Sequence, residues 1–122
     1  MPQLRPLDPS FPIDRQIAID TGPVVLVNLF TLDKADEETF LKAWQNDAGF
    51  MKRQPGFIST QLHRAIGDSP TYMNYAVWET NADFRAAFSH PEFRARLSTY
   101  PASAVASPHL FEKVAVSGIC VA

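Results

Sequence analysis

The segment TYMNYAVWE at 71–79 carries side chains whose spacing could support chemistry. Its β-branched and aromatic residues predict a strand, in which successive side chains point to opposite faces. Tyr72, Asn74 and Trp78 therefore share one face. An amide can donate a hydrogen bond to a developing oxyanion, and an indole offers a flat apolar wall with one N–H donor. This face is suited to a flat aromatic ligand that carries oxygen substituents.

A histidine is predicted to join this face from the preceding strand. If the turn Gly67–Pro70 has four residues, Ile66 pairs with Thr71 and His63 lies opposite Asn74. An imidazole titrates near neutral pH and can take or relay a proton. The same register pairs Gln61 with Ala76 and Ser59 with Trp78.

Such a face would make a poor apolar core, because each buried polar group without a partner costs about 1–3 kcal/mol. A mostly apolar space with a few convergent polar groups is instead typical of a ligand pocket. Helical spacing predicts four aromatic side chains that cover the face: Phe40, Trp44, Phe84 and Phe88.

Other titratable residues have structural interpretations. Asp47 and the cluster Asp36–Glu38 are expected on a solvated helix face. His90 is expected at the start of a helix, and His109 is expected at the edge of a strand.

The elements that must position these residues follow in the order β-α-β-β-α-β. Apolar runs with β-branched residues predict the strands, and apolar residues at i, i+3 and i+4 predict the helices. This order indicates an α+β, ferredoxin-like fold, in which helices cover one face of a four-stranded antiparallel sheet. The predicted strands are 24–32, 57–66, 71–79 and 109–116, and the helices are 36–53 and two that start near 80 and 90.

Residues 1–22 are predicted to form a proline-rich arm beside a domain at 23–122. Prolines at positions 2, 6, 9, 12 and 23 remove backbone donors and fix φ. The arm is therefore expected to be extended and without helix, with a short strand at 15–19.

The sheet face opposite the helices is also predicted to be apolar. A bare patch of this size is unusual on a monomer, so two chains are expected to pair sheet to sheet as a homodimer. The residues predicted on this face are Val25, Val27, Leu29, Ile58, Leu62, Tyr75 and Val77.

Composition argues against several classes of protein. The chain has 11 Lys+Arg against 13 Asp+Glu, which disfavours a nucleic-acid partner. Cys120 is the single cysteine and cannot form an internal disulfide, and no apolar run approaches the roughly 18 residues of a membrane span. Motifs for zinc peptidases, dinucleotides and phosphate loops are missing, and the three histidines are too scattered for a metal site. A cytoplasmic protein without membrane contact is expected.

The order and spacing of four motifs resemble the antibiotic biosynthesis monooxygenase family, a dimeric α+β barrel group. The motifs are VVLVNLF on the first strand, PGF at the start of the second, NYAVWE on the third, and FRAAFSHPEFRA after it. The resemblance covers about residues 24–117.

In the quinone-forming branch of this family, an Asn and a Trp four residues apart act on aromatic anthrones and O₂ without metal, flavin or haem. The resemblance implies these catalytic roles for Asn74 and Trp78, with His63 near the place of a histidine on the preceding strand. It also implies a homodimer without a cofactor, an aromatic substrate and a quinone product. The branch has a tyrosine six residues after the Trp, and Phe84 stands there in this chain, without the hydroxyl.

The haem-degrading branch uses an Asn on the first strand, which Asn28 matches. Its Trp and His correspond to Ala87 and Leu97, so haem breakdown is not expected. The predicted substrate-binding residues are Asn28, Phe40, Trp44, Ser59, Gln61, Tyr72, Phe84 and Phe88.

Two other functions remain open at this point. The chain could be a non-catalytic dimeric module that binds a small aromatic ligand, with His63 and Asn74 fixing its orientation. It could also be a related dimeric barrel that isomerises lactones or decarboxylates a small acid, for which His63 would be the ionisable group.

Overall fold

The computed structural model describes residues 2–122, and its centre is a five-stranded mixed sheet. The strands are β1 (Gln3–Leu4), β2 (Val24–Thr31), β3 (Phe57–Arg64), β4 (Thr71–Trp78) and β5 (Val105–Phe111), and the helices are α1 (Ile13–Gln16), α2 (Glu37–Met51), α3 (Asn81–Phe88) and α4 (Pro91–Arg96). The strand order is β1-β5-β2-β4-β3, with β1 parallel to β5 and the other neighbours antiparallel. Without β1 and α1, the elements follow the ferredoxin-like order, so that prediction is confirmed.

The helices after β2 and β4 cover one face of the sheet, called the inner face below. Phe30 and Tyr72 pack against Phe40 of α2 in one cluster of buried side chains. Trp78 packs against Phe84 of α3 in a second cluster. Alternation along each strand thus fixes which residues can line a site between the layers. None of the helices within residues 2–122 has an apolar stretch that would span a bilayer.

The last strand begins at Val105, before the predicted start at 109, and therefore includes Pro108. Pro108 pairs in register with Asn28 of β2. Proline is tolerated on edge strands. The edge of β5 that does not pair with β2 is covered by β1 only at Val105 and Ala106. The edge position of β5 therefore accommodates the missing N–H.

The arm at 2–22 contains helix α1, although the prolines were predicted to exclude a helix. That prediction was wrong because Pro12 lies just before the helix, where its fixed φ is compatible. The strand predicted at 15–19 does not form. The division into an arm at 1–22 and a domain at 23–122 stays a prediction.

Strands β3 and β4 pair one residue away from the predicted register. His63 pairs with Met73 instead of Asn74. The N–H of Ala65 donates to the carbonyl of Thr71 at 2.8 Å, so the turn begins one residue earlier than expected. A shift of one residue moves every side chain of a strand to the other face.

This register corrects the predicted position of three site residues. Ser59, Gln61 and His63 are exposed and point away from the helices, onto what we call the outer face. Thr60 and Leu62 take the inner face instead, where both are half-buried.

The outer face is apolar along its two central strands and polar along β3. The apolar side chains are Val25, Val27 and Leu29 of β2, with Met73, Tyr75 and Val77 of β4. Tyr75 is 41% exposed. Leu62 was predicted here and lies inside, so the apolar part of this face is narrower than expected.

Candidate active site

Two adjoining cavities lie between the sheet and the covering helices. Their volumes are about 60 and 90 Å³, whereas one water molecule needs roughly 15 Å³. The walls shared by both are Asn28, Phe30, Asp47, Phe88, Phe93, Tyr100 and Pro108. The first cavity is completed by Leu26, Trp44, Ala48, Met51, Phe57, Thr60, Asn74, Ala76, Trp78 and Phe84. The second is completed by Pro2, Leu4, Leu97 and Ala106.

Two amide side chains stand side by side on the floor of the first cavity. Asn28 of β2 and Asn74 of β4 are direct cross-strand partners. The hydroxyl of Thr60 donates a hydrogen bond to Oδ1 of Asn74, which leaves the NH₂ group of that amide free to donate into the cavity. Oδ1 of Asn28 is buried and has no partner among residues 2–122. The floor thus offers one amide donor and one amide acceptor.

An aromatic wall stands beside these amides. Trp78 is 1% exposed. The bulge between Phe57 and Ser59 turns Phe57 inward, and its ring meets the indole edge to face at 5.4 Å. The rings of Phe84 and Trp78 are 5.7 Å apart, and Phe88 follows at 5.3 Å from Phe84. The wall can stack on a flat ring and exclude water from it.

Helix α2 places a carboxyl group in the wall shared by both cavities. Asp47 is 9% exposed. Its Oδ2 accepts a hydrogen bond from the Tyr100 hydroxyl at 2.9 Å, while its Oδ1 is buried with no partner in the described part of the chain.

Burial raises the pKa of Asp47 to about 6, although the Tyr100 hydrogen bond and the charge of Arg96 both lower it. Burial and the neighbouring carboxylate raise the pKa of Tyr100 as well. At neutral pH the phenol therefore remains a donor, and Asp47 is a carboxylate that takes up a proton more readily than an exposed one.

Six of the predicted site residues lie in the wall of the first cavity: Asn28, Trp44, Asn74, Trp78, Phe84 and Phe88. Their functional roles stay predictions. Phe40 and Tyr72 do not line either cavity, because they pack in the core with ring centroids 4.7 Å apart. The Tyr72 hydroxyl points to the helix start and donates to Glu37 at 2.6 Å. Ser59, Gln61 and His63 lie on the outer face.

Asp47 was expected on a solvated helix face, and that expectation was wrong. It lies seven residues after Phe40 and three after Trp44, on the stripe of α2 that faces the sheet. An acidic residue within an apolar stripe was the signal that could have identified it. Tyr100 follows a short 3₁₀ turn at 97–99 and carries no comparable periodic signal.

The two remaining histidines have structural contacts. Nδ1 of His90 accepts the N–H of Glu92 at the start of α4, as expected. Nδ1 of His109 lies 3.1 Å from Nε2 of Gln16. Residues 2–122 hold no cluster of three His, Cys, Asp or Glu side chains placed to bind a metal ion.

Comparisons with known proteins agree with the fold and identify the family. Deoxynogalonate monooxygenase from Streptomyces nogalater is 36% identical over 75 residues, which make up 62% of this chain and 63% of that protein. The match thus spans less than two thirds of that relative. SnoaB, a cofactor-independent oxygenase from the same organism, has a TM-score of 0.72 at 28% identity and covers 80% of this chain and 99% of its own.

A protein of known structure from Shewanella loihica PV-4 has a TM-score of 0.67 at 30% identity, covering 78% of this chain and 97% of its own. Residues 23–96 match the model of the antibiotic biosynthesis monooxygenase family. This match includes the strands and helices that carry Asn28, Asp47, Asn74 and Trp78. The chain therefore belongs to the antibiotic biosynthesis monooxygenase family.

Proposed function

We propose that this protein is a cofactor-independent monooxygenase that uses O₂ to oxidise an aromatic substrate, of anthrone or phenol type, to a quinone. The observation that carries the proposal is the cross-strand amide pair of Asn28 and Asn74, set beside the aromatic wall around Trp78. The similarity to SnoaB, a cofactor-independent oxygenase, supports the same class of reaction.

For an anthrone, the proposed reaction replaces two hydrogens of the ring methylene with one oxygen atom from O₂. The second oxygen atom leaves as water with both hydrogens, so the substrate loses four electrons and O₂ gains four. Loss of a proton first makes an electron-rich anion that can pass an electron to O₂. The protein has to bind and orient the substrate and stabilise the charge that develops on it.

Different residues of the first cavity bind the substrate, orient it and stabilise its charge. The NH₂ group of Asn74 donates to the developing oxyanion, and Thr60 orients the amide by holding its oxygen. The free oxygen of Asn28 accepts a hydrogen bond from a substrate hydroxyl. Trp78 and Phe84 stack on the ring and keep water away.

We expect Asn74→Ala to lower kcat on 1,8-dihydroxyanthrone by about 100-fold or more, because one oxyanion donor is lost. O₂ consumption and quinone absorbance would be followed together, with circular dichroism as the check on folding. Gln45→Ala removes an exposed amide of α2 and serves as the matched control. An Asn74→Ala variant that turns over like wild type would contradict the proposed role.

A non-catalytic module that binds a small aromatic ligand is the second candidate. It is favoured by the unpartnered oxygens of Asn28 and Asp47, which would accept ligand hydroxyls whether or not a reaction followed. Ligand-induced thermal stabilisation that is equal with and without O₂, and without quinone formation, would support this function. Lactone isomerisation or decarboxylation through His63 is not supported, because that side chain lies on the outer face.

We also propose that two copies pair through the apolar centre of the outer face. Val27 and Leu29 on β2 lie beside Tyr75 and Met73 on β4 there, and nothing within residues 2–122 covers them fully. A cytoplasmic location stays a prediction.

A further inference from the structure

We propose that Asp47 is the general base that removes a proton from the substrate, and that Tyr100 is the residue that positions its carboxylate. This inference rests on the proposed oxidation of an aromatic substrate and names the group that starts it. The quinone-forming pattern offers a tyrosine at the position of Phe84, which has no ionisable group here. Among residues 2–122, Asp47 is the only carboxylate in the walls of these two adjoining cavities.

The geometry of the carboxyl group fits a base. The Tyr100 hydroxyl donates a hydrogen bond to Oδ2 of Asp47 at 2.9 Å. This bond fixes the rotation of the carboxylate and leaves Oδ1 without a partner in the described part of the chain. Oδ1 is buried, and no donor within residues 2–122 reaches it. A buried acceptor without a donor is costly, and a substrate C–H or O–H placed in the cavity would supply the missing proton.

Two neighbours of Asp47 favour its ionised form, which is the form that can accept a proton. Arg96 of α4 acts on it through its positive charge, and Tyr100 acts on it through the hydrogen bond. From the sheet, the polar cavity residues are Asn28, Thr60 and Asn74, which carry no charge. Burial raises the pKa against these two effects to about 6, and a base is most effective when its pKa lies near the working pH.

The proposed step balances without an oxidant. The C–H bond of the anthrone methylene breaks, an O–H bond forms on Oδ1 of Asp47, and the electron pair stays on the ring system as an enolate. The negative charge moves from Asp47 to the substrate oxygen, where the NH₂ group of Asn74 donates. O₂ enters only after this step.

Because the step precedes O₂, it can be tested under argon. The exchange of the methylene hydrogens of 1,8-dihydroxyanthrone with D₂O would be followed by proton NMR. The exchange rate measured without protein would be subtracted from each rate. Wild type is expected to accelerate exchange, with a rate that rises through about pH 6 and then levels off. Asp47→Asn is expected to reduce the protein-dependent rate at least about 100-fold, while Glu38→Gln, an exposed acid on the same helix, leaves it unchanged.

Tyr100→Phe tests whether Tyr100 positions the carboxylate of Asp47 or only supports the fold. Without the hydroxyl, the pKa of Asp47 loses one lowering influence, so the rise in exchange rate is expected at higher pH. A purely structural role for Tyr100 would lower the rate without moving this midpoint.

Each outcome decides the inference. Exchange that is fast in wild type and lost in Asp47→Asn supports it, even if no O₂ is consumed, in which case the proposed oxidation fails alone. Exchange that is equally fast in Asp47→Asn overturns it, even if quinone forms at the wild-type rate. Wild type that oxidises the anthrone but never accelerates exchange also overturns it.

Discussion

The carboxyl group of Asp47 changes its pKa on folding from an ordinary value of 3.8 to about 6. Between these values the folded protein binds more protons than the unfolded chain, so the free energy of unfolding falls as the pH rises through this window. At neutral pH the buried charge therefore destabilises the fold by roughly 3 kcal/mol. A core position that carries such a cost is typical of a functional residue.

We expect Asp47→Asn to unfold at higher urea concentration than wild type at pH 7, with a gain of roughly 2–3 kcal/mol. The amide keeps the shape of the side chain and an acceptor for Tyr100, but it has no charge to bury. The gain should shrink towards pH 4, where the wild-type carboxyl is protonated in the folded protein. A gain that is independent of pH would contradict this account, and Glu38→Gln provides an exposed control.

At the scale of elements, pattern and spacing were sufficient for the order of strands and helices from β2 to β5, but not for β1 and α1 in the arm. Successive side chains of a strand point to opposite faces, so Asn74 and Trp78, four residues apart, could be placed on one face without knowing their neighbours. Their position depends on the strand alone.

The partners from β3 could not be predicted in the same way, because register depends on the turn and on a bulge. The turn begins one residue earlier than the turn residues suggested, and this reverses the faces of His63 and Leu62. The bulge after Phe57 then reverses the alternation a second time. Neither the start of the turn nor the bulge produces a periodic pattern in the sequence. The inward position of Asp47, in contrast, follows from its place in the apolar stripe of α2.

Asn81 is one of several side chains that hold the N-terminal arm to the body. Asn81, at the start of α3, is 2% exposed, and its NH₂ group donates to the carbonyls of Gln16 at 2.9 Å and Ile19 at 2.7 Å. The same arm contributes Pro2 and Leu4 to the wall of the second cavity. The arm thus supplies part of the wall of that cavity in addition to its contacts with Asn81.

We expect Asn81→Ala to lower the free energy of unfolding by about 2 kcal/mol, because two carbonyls lose their donor. Amide hydrogen exchange in residues 13–19 should accelerate more than exchange in β2 and β4. Gln45→Ala, an exposed amide, should change neither quantity. Equal acceleration throughout the sheet would show that Asn81 supports the whole domain instead of the arm.

At the scale of the whole molecule, the two faces of the sheet differ in what covers them. The inner face carries the cavities between two clusters of buried side chains, and their walls come from β2, β3, β4, β5 and the covering helices. The outer face leaves Val27 half-buried and Tyr75 41% exposed at the centre of the sheet. Burying the part of these apolar side chains that is still exposed on each copy favours association and opposes its cost of roughly 4–15 kcal/mol.

We therefore expect a dimer of about twice 13.6 kDa in sedimentation equilibrium. Val27→Glu should convert it to a folded monomer, because Val27 lies between Tyr75 and His109 at the centre of the outer face and a buried unpaired charge is costly. Leu41→Glu, on the exposed side of α2, should remain dimeric. Wild type that sediments as a monomer would contradict the pairing. Dimers that persist in Val27→Glu would place the interface on another surface of the chain.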